Sequence, residues 1–167
     1  SREHRKEARR ALDRSELAQF AVALKGHGLA LKEVEGDGNC FFRSLADQIE
    51  NCEHNHAEYR EKVMDYVEQN AADFEPFFSF GEGEDEEDAD FGEYVTRMRR
   101  ECEWAGQYEI IAAARALGVH IMVHQFKAPA YRIDDTARPD APTIHVSYHD
   151  GDHYNSVRDP TSAVATT

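Results

Sequence analysis

The sequence predicts an α+β domain, with helices and strands either segregated or arranged as a small sheet with helices on both faces. Three observations carry this reading. Apolar residues recur at helical spacing through the first two thirds of the chain, period-two alternation and β-branched runs gather in the last third, and Gly, Pro or Asn stands at most of the changes. Helices therefore do not alternate regularly with strands, which argues against a doubly wound parallel sheet.

Taken in order, the chain opens on a charged stretch in which Arg2, Arg5, Arg9, Arg10 and Arg14 are interleaved with Glu3, Glu7 and Asp13. Mixed signs of this kind mark a solvated helix face rather than a targeting or nucleic-acid patch. Leu17, Phe20, Ala21 and Leu24 continue at helical spacing, so residues 1–28 are expected to form an amphipathic extension that packs only in its second half and ends at Gly26 and Gly28. Leu31 to Glu35 alternates apolar and charged residues and reads as a short strand or extended arm leading to a turn. Asp37, Gly38 and Asn39 are turn formers, with Gly38 able to take a positive φ. From Cys40, the residues Phe41, Phe42, Leu45, Ala46 and Ile49 share one helical face. A polar loop follows near Asn51, and Asn55 with Glu58 starts a helix buried through Tyr59, Val63, Tyr66 and Val67, which Pro76 is expected to stop.

Beyond an acidic stretch, Phe91, Tyr94, Val95 and Met98 again show helical spacing, and the next helix begins near Gln107. Its stripe is Ile110, Ile111, Ala114 and Leu117, with Gly118 as its C-terminal cap. Val119 to Val123 has the β-branched density of a central strand, Tyr131 to Ile133 reads as another, and Thr143 to Tyr148 alternates cleanly. A turn at Gly151 then leads to a last strand. Residues 161–167 read as a flexible tail.

The 167 residues with 41% apolar content suit one domain with a real core. No apolar run approaches the roughly 18 residues that span a membrane, and no signal peptide is read. Three cysteines with no C-x-x-C pair argue against a disulfide framework and point to a reducing, intracellular compartment, the cytoplasm or the nucleus. A net charge of −14 disfavours nucleic acid and favours a substrate with a basic face. Seven of the nine residues from Glu82 to Asp90 are acidic, half of that charge, and they read as a solvated loop.

The chemistry centres on Cys40, a thiol at a helix N-terminus beside a glycine-containing turn. Unpaired N–H groups and the macrodipole there stabilise a thiolate, and the same N–H groups are placed to hold an oxyanion after attack on a carbonyl carbon. Such a nucleophile needs a base and a group that orients the base. Of the nine histidines, His153 follows a Gly-Asp turn at a strand entrance, and Asn155 lies two residues on, on the same strand face. The rival reading is metal binding, because His145, His149 and His153 recur every four residues; the region alternates as a strand, however, and no cysteine has zinc spacing. His120, His124 and His145 read as structural, Cys52 as a loop thiol and Cys102 as a packing residue.

Gly36-Asp37-Gly38-Asn39-Cys40-Phe41-Phe42-Arg43-Ser44, Trp104-Ala105-Gly106-Gln107-Tyr108-Glu109-Ile110 and His153-Tyr154-Asn155-Ser156-Val157 resemble, in order, the three signature blocks of the ovarian tumour (OTU) domain cysteine proteases. Leu31-Lys32-Glu33-Val34-Glu35 and Asp73-Phe74-Glu75-Pro76-Phe77 are most similar to the OTU domain-containing protein 3 group. The resemblance implies a papain-like, α/β/α-like fold over residues 29–160, with a small, mostly antiparallel sheet between helices. It implies a deubiquitinase, a monomer without cofactor or metal, that hydrolyses the isopeptide bond between a ubiquitin C-terminal glycine and lysine in substrates or polyubiquitin chains.

By residue matching, Cys40 is the nucleophile, His153 the base and Asn155 its orienting group, where many relatives carry aspartate. Asp37 is expected to shape the oxyanion loop Asp37, Gly38, Asn39 and Cys40 through its backbone. Trp104, Gly106 and Glu109 belong to a segment beside the active-site channel, in which the usual Trp-Gly-Gly is Trp-Ala-Gly here. Together with Asn51 and His54 in one loop, and His149, Asp150, Gly151, Asp152 and Tyr154 around the last turn, they are expected to meet ubiquitin, as is the acidic loop. Two other functions fit the same resemblance: a module that binds ubiquitin without cleaving it, and a protease for another ubiquitin-like modifier.

Overall fold

The computed structural model describes residues 14–78, 90–134, 138–149 and 153–160, and within them the elements follow the expected order. Helix α1 (Arg14–Lys25) leads to strand β1 (Ala30–Lys32), then α2 (Cys40–Glu50), α3 (His56–Gln69), the short α4 (Ala71–Phe74), α5 (Phe91–Met98) and α6 (Gln107–Leu117). Strands β2 (His120–Gln125), β3 (Ala128–Ile133), β4 (Thr143–His149) and β5 (His153–Arg158) complete a five-stranded sheet in the order β1-β5-β4-β2-β3. Only the β2–β4 pair is parallel; the other three pairings are antiparallel. The first part of the N-terminal charged stretch, the acidic run up to residue 89, the turn expected at 150–152 and the tail expected at 161–167 lie outside the described residues.

Both faces of the sheet are covered, and strand β5 shows how. Tyr154 belongs to the main core, with Phe41 of α2 packed at 5.3 Å, whereas Val157 belongs to a second cluster with Phe20 and Leu24 of α1. Side chains an odd number apart on a strand point to opposite faces, so α2 and α1 take opposite sides of β5. His153 and Asn155 fall on the α1 side by the same count.

Three buried polar side chains pin α2 to β5. Gln48 Nε2 donates to Ser156 Oγ at 2.8 Å and to the Val157 carbonyl at 2.9 Å. Ser156 Oγ in turn donates to Asp47 Oδ2 at 2.6 Å, and Arg158 Nη2 donates to Asp47 Oδ1 at 2.8 Å. Hydrogen-bonded groups without access to water are costly to separate, so the helix that starts at Cys40 and the strand that starts at His153 are locked at one relative position.

Two boundaries and two caps differ from expectation for identifiable reasons. Helix α3 ends well before Pro76, because the Asn70 side chain and N–H both donate to the Tyr66 carbonyl, at 2.9 and 3.0 Å, and close the helix. Pro76 instead opens a 3-10 turn over Glu75–Phe77. Strand β1 stops at Lys32, since the next N–H groups go to side chains: Val34 N–H to Asn155 Oδ1 at 3.0 Å and Glu35 N–H to Glu53 Oε2 at 3.1 Å. Asn55 makes no cap at the start of α3 and donates to Glu50 Oε2 instead, whereas Asp90, not singled out in the sequence, caps α5 by accepting from Glu93 N–H at 2.8 Å.

Candidate active site

Cys40 is the first residue of α2 and is almost fully buried, at 1% exposure. Its Sγ accepts a backbone hydrogen bond from Tyr154 N–H at 3.4 Å. A donor aimed at sulfur favours the thiolate over the thiol, and this donor comes from the strand that carries His153.

The turn before Cys40 is held by Asp37 in a way the sequence reading did not anticipate. The Asp37 carboxylate accepts from Asn39 N–H at 3.0 Å, from Asn39 Nδ2 at 3.2 Å and from Arg43 Nη2 at 3.0 Å. Burial opposes its charge, but the Arg43 contact and the Asn39 N–H outweigh it and hold the carboxyl below its ordinary range. Asp37 thus shapes the loop through its side chain as well as its backbone. Cys40 N–H closes onto the Asp37 carbonyl at 3.2 Å, so the N–H groups of Asn39 and Cys40 both turn inward rather than standing free for an oxyanion.

Gly38 is not among the residues at positive φ, so its conformation does not demand glycine; space does. A Cβ there would lie 1.7 Å from the Cys102 carbonyl oxygen. Asn39 bridges the same two segments, since its Oδ1 accepts from Cys102 N–H at 2.7 Å and from Arg60 Nη2 at 2.9 Å. Arg60, buried and stacked over Phe42, also donates to the carbonyls of Gly38 and Met98. Arg60 was not foreseen: a basic residue inside a helical stripe reads as exposed unless its acceptors are known.

His153 and Asn155 meet as expected, with His153 Nε2 donating to Asn155 Oδ1 at 3.1 Å. This places the ring proton on Nε2 and leaves Nδ1 as the acceptor for a thiol proton. Asn155 is 1% exposed, and its oxygen also accepts the Val34 N–H.

Other residues expected at the surface are not there. His149 is buried at the end of β4, opposite His153 in the sheet register, with ring centroids 5.8 Å apart. Burial, and then the neighbouring His153, push His149 down to about 4, so the ring is neutral near pH 7. Tyr154 buries its side chain against Phe41. Glu109 is buried as well: it accepts from Gly106 N–H at 2.8 Å and from the Tyr94 hydroxyl, and serves as the N-terminal cap of α6 rather than as a contact. Burial raises its carboxyl above the usual range against the pull of these hydrogen bonds. Trp104 and Gly106 are half-buried, and Asn51 and His54 are exposed. Asp150, Gly151 and Asp152 lie outside the described residues. His145 does not converge with His149 and His153; it pairs with His124 at 2.9 Å.

The family model for OTU-like cysteine proteases matches residues 35–154. The chain is 38% identical over 143 residues to OTU domain-containing protein 3 of Mus musculus, across 86% of this chain and 34% of that protein. It is 39% identical over 143 residues to OVARIAN TUMOR DOMAIN-containing deubiquitinating enzyme 7 of Arabidopsis thaliana, across 86% of this chain and 36% of that protein. It therefore spans about a third of the length of these curated relatives. Among solved structures, the OTUD1 OTU domain is similar with a TM-score of 0.74 at 24% identity, over 90% of this chain and 99% of that one. An OTU domain in complex with ubiquitin is similar with a TM-score of 0.63 at 20% identity, over 82% of this chain and 78% of that one. At these identities the structural likeness speaks to the fold.

Proposed function

The chain belongs to the OTU-like cysteine proteases, and from that premise we propose that it is a deubiquitinase that cleaves isopeptide bonds at the C-terminal glycine of ubiquitin, in substrates and in polyubiquitin chains. The observation that carries this reading is the meeting of the two sequence blocks: Tyr154 N–H on Cys40 Sγ, and His153 Nε2 on Asn155 Oδ1.

In the proposed reaction His153 Nδ1 takes the Cys40 proton, and the thiolate adds to the glycine carbonyl carbon. The resulting oxyanion draws Cys40 N–H away from the Asp37 carbonyl, the longer of the two bonds closing the loop at 3.2 Å. Collapse expels the lysine amine, which receives its proton from His153. Water, activated by the same ring, then hydrolyses the thioester and frees Cys40.

No cofactor is required. The partners proposed are ubiquitin and its chains rather than nucleic acid or a membrane, met by a monomer in the cytoplasm or nucleus. The net charge of −14 suits the basic C-terminal tail of ubiquitin. None of Cys40, Cys52 and Cys102 is in a disulfide, in keeping with a reducing compartment.

The test is a ubiquitin probe with a C-terminal electrophile, followed by peptide mass spectrometry. The expected adduct is on Cys40 alone. No adduct, or one spread over Cys52 and Cys102, would sink the assignment.

A further inference from the structure

Asn155 can orient His153 only if its amide faces the right way. An amide turned over presents NH₂ where the oxygen should be, and the two orientations have nearly the same shape. Among the described residues two contacts lie on the oxygen side, Val34 N–H at 3.0 Å and His153 Nε2 at 3.1 Å. On the nitrogen side stands His149, whose Nε2 is 3.5 Å from Asn155 Nδ2.

We propose that His149 is a positioning residue, which acts as the acceptor that holds the Asn155 amide in the orientation His153 needs. The proposal rests on the reading of Cys40, His153 and Asn155 as the catalytic set.

The protonation logic follows from donors and acceptors. Ser147 Oγ also lies 2.9 Å from His149 Nε2, so a hydroxyl and an amide NH₂ converge on one nitrogen. Both are satisfied when that nitrogen carries no proton, which puts the ring proton on Nδ1. A proton on Nε2 would face the Asn155 NH₂ donor to donor and favour the turned amide. That amide would then set its NH₂ against Val34 N–H and against His153 Nε2–H. At 3.5 Å the Asn155–His149 contact is weak, so its value lies in direction. With Asn155 at 1% exposure, water has little access to take over either side.

The ring is held from outside by helix α1. Phe20 of α1 meets His149 edge to face, with ring centroids 5.5 Å apart and an interplanar angle of 73°. A line of contacts thus runs from Phe20 through His149 and Asn155 to His153. Helix α1 forms the outer wall of this network.

The experiment compares His149→Phe, which keeps the ring volume without an acceptor, with His149→Gln, which keeps an acceptor, each alone and combined with Asn155→Ala. Turnover of a fluorogenic ubiquitin substrate gives kcat and KM, thermal melts report the fold, and ¹⁵N spectra of the histidine rings report the His153 tautomer. His149→Phe should lower kcat about tenfold with KM little changed, and His149→Gln should recover most of that loss. In the Asn155→Ala background His149→Phe should cost nothing further, since the residue acts through Asn155. His153 should carry its proton on Nε2 in the wild type and lose that preference in His149→Phe.

Wild-type kcat in His149→Phe, an equal loss in both backgrounds, or no recovery with glutamine would overturn the proposal. His149→Leu takes the place of His149→Phe if the latter does not fold. An inactive wild type would refute the deubiquitinase reading instead. In that case the tautomer alone decides, and an unchanged Nε2 proton in His149→Phe refutes the role of His149.

Discussion

Gly38→Ala is expected to abolish ubiquitin cleavage and to lower the melting temperature by roughly 10 °C for a chain of this size. The added Cβ would lie 1.7 Å from the Cys102 carbonyl oxygen, 2.2 Å from its carbonyl carbon and 2.6 Å from its Cα. These are backbone atoms, so no side chain can swing aside. Overpacking of this kind costs on the order of 3 kcal/mol. Relief can come only by separating the Cys40 turn from the Cys102 segment, which breaks the bonds of Asn39 Oδ1 to Cys102 N–H and to Arg60. The turn that sets Cys40 at the head of α2 then loses its shape. Gly36→Ala is the control, because among the described residues its Cβ meets only His153 Cε1 at 3.7 Å, an ordinary contact. A Gly38→Ala protein that melts and turns over like the wild type would refute the packing argument.

Cys40→Ala should lose at least about 10⁴-fold in turnover while keeping its fold and its affinity for ubiquitin. Sγ is buried and accepts a hydrogen bond from Tyr154 N–H, and losing that bond costs about 1 kcal/mol of stability. Cys40→Ser is the more informative variant. It keeps the acceptor and nearly the volume, yet should be almost as inactive. A serine hydroxyl is a far weaker acid than a thiol, which ionises near ~8.5 unperturbed, and the orienting group here is a neutral amide that gives the imidazolium little electrostatic support. Steady-state hydrolysis and calorimetric titration with ubiquitin separate the two effects. Serine turnover within tenfold of the wild type would mean that the reaction does not run through a thiolate.

Much of the fold was legible because its signals are local. The Cys40 helix, the Gly118 cap and the alternation of Thr143 to Tyr148 each show within a few residues, and the structure has them where expected. The pairing of Cys40 with the His153 strand was legible for a different reason, as turn chemistry at each end invited it.

What escaped the sequence depends on contacts across long separations. His149 looked like a loop residue because Gly151 follows it closely, whereas the sheet register carries β4 through His149 and buries it against Phe20. Glu109 looked like a surface acid until Gly106 N–H and the Tyr94 hydroxyl supplied donors for it. The Arg60 and Val34 contacts are of the same kind, since the acceptor of each lies at least 21 residues away in the chain. Gly38 drew attention for its conformational freedom, though what matters is the backbone that passes beside it.

The hydrogen bond from Val34 N–H to Asn155 has a thermal consequence. It ties the orientation of the base to the segment just past β1, a three-residue strand at the edge of the sheet. Short edge elements open by local fluctuation at a fraction of the free energy needed to unfold the core. Each opening removes one of the two donors that, among the described residues, hold the Asn155 oxygen, while the α2–β5 lock stays closed. Heating should therefore extinguish activity in a fully reversible step below the melting transition, with the enzyme switching off while still folded.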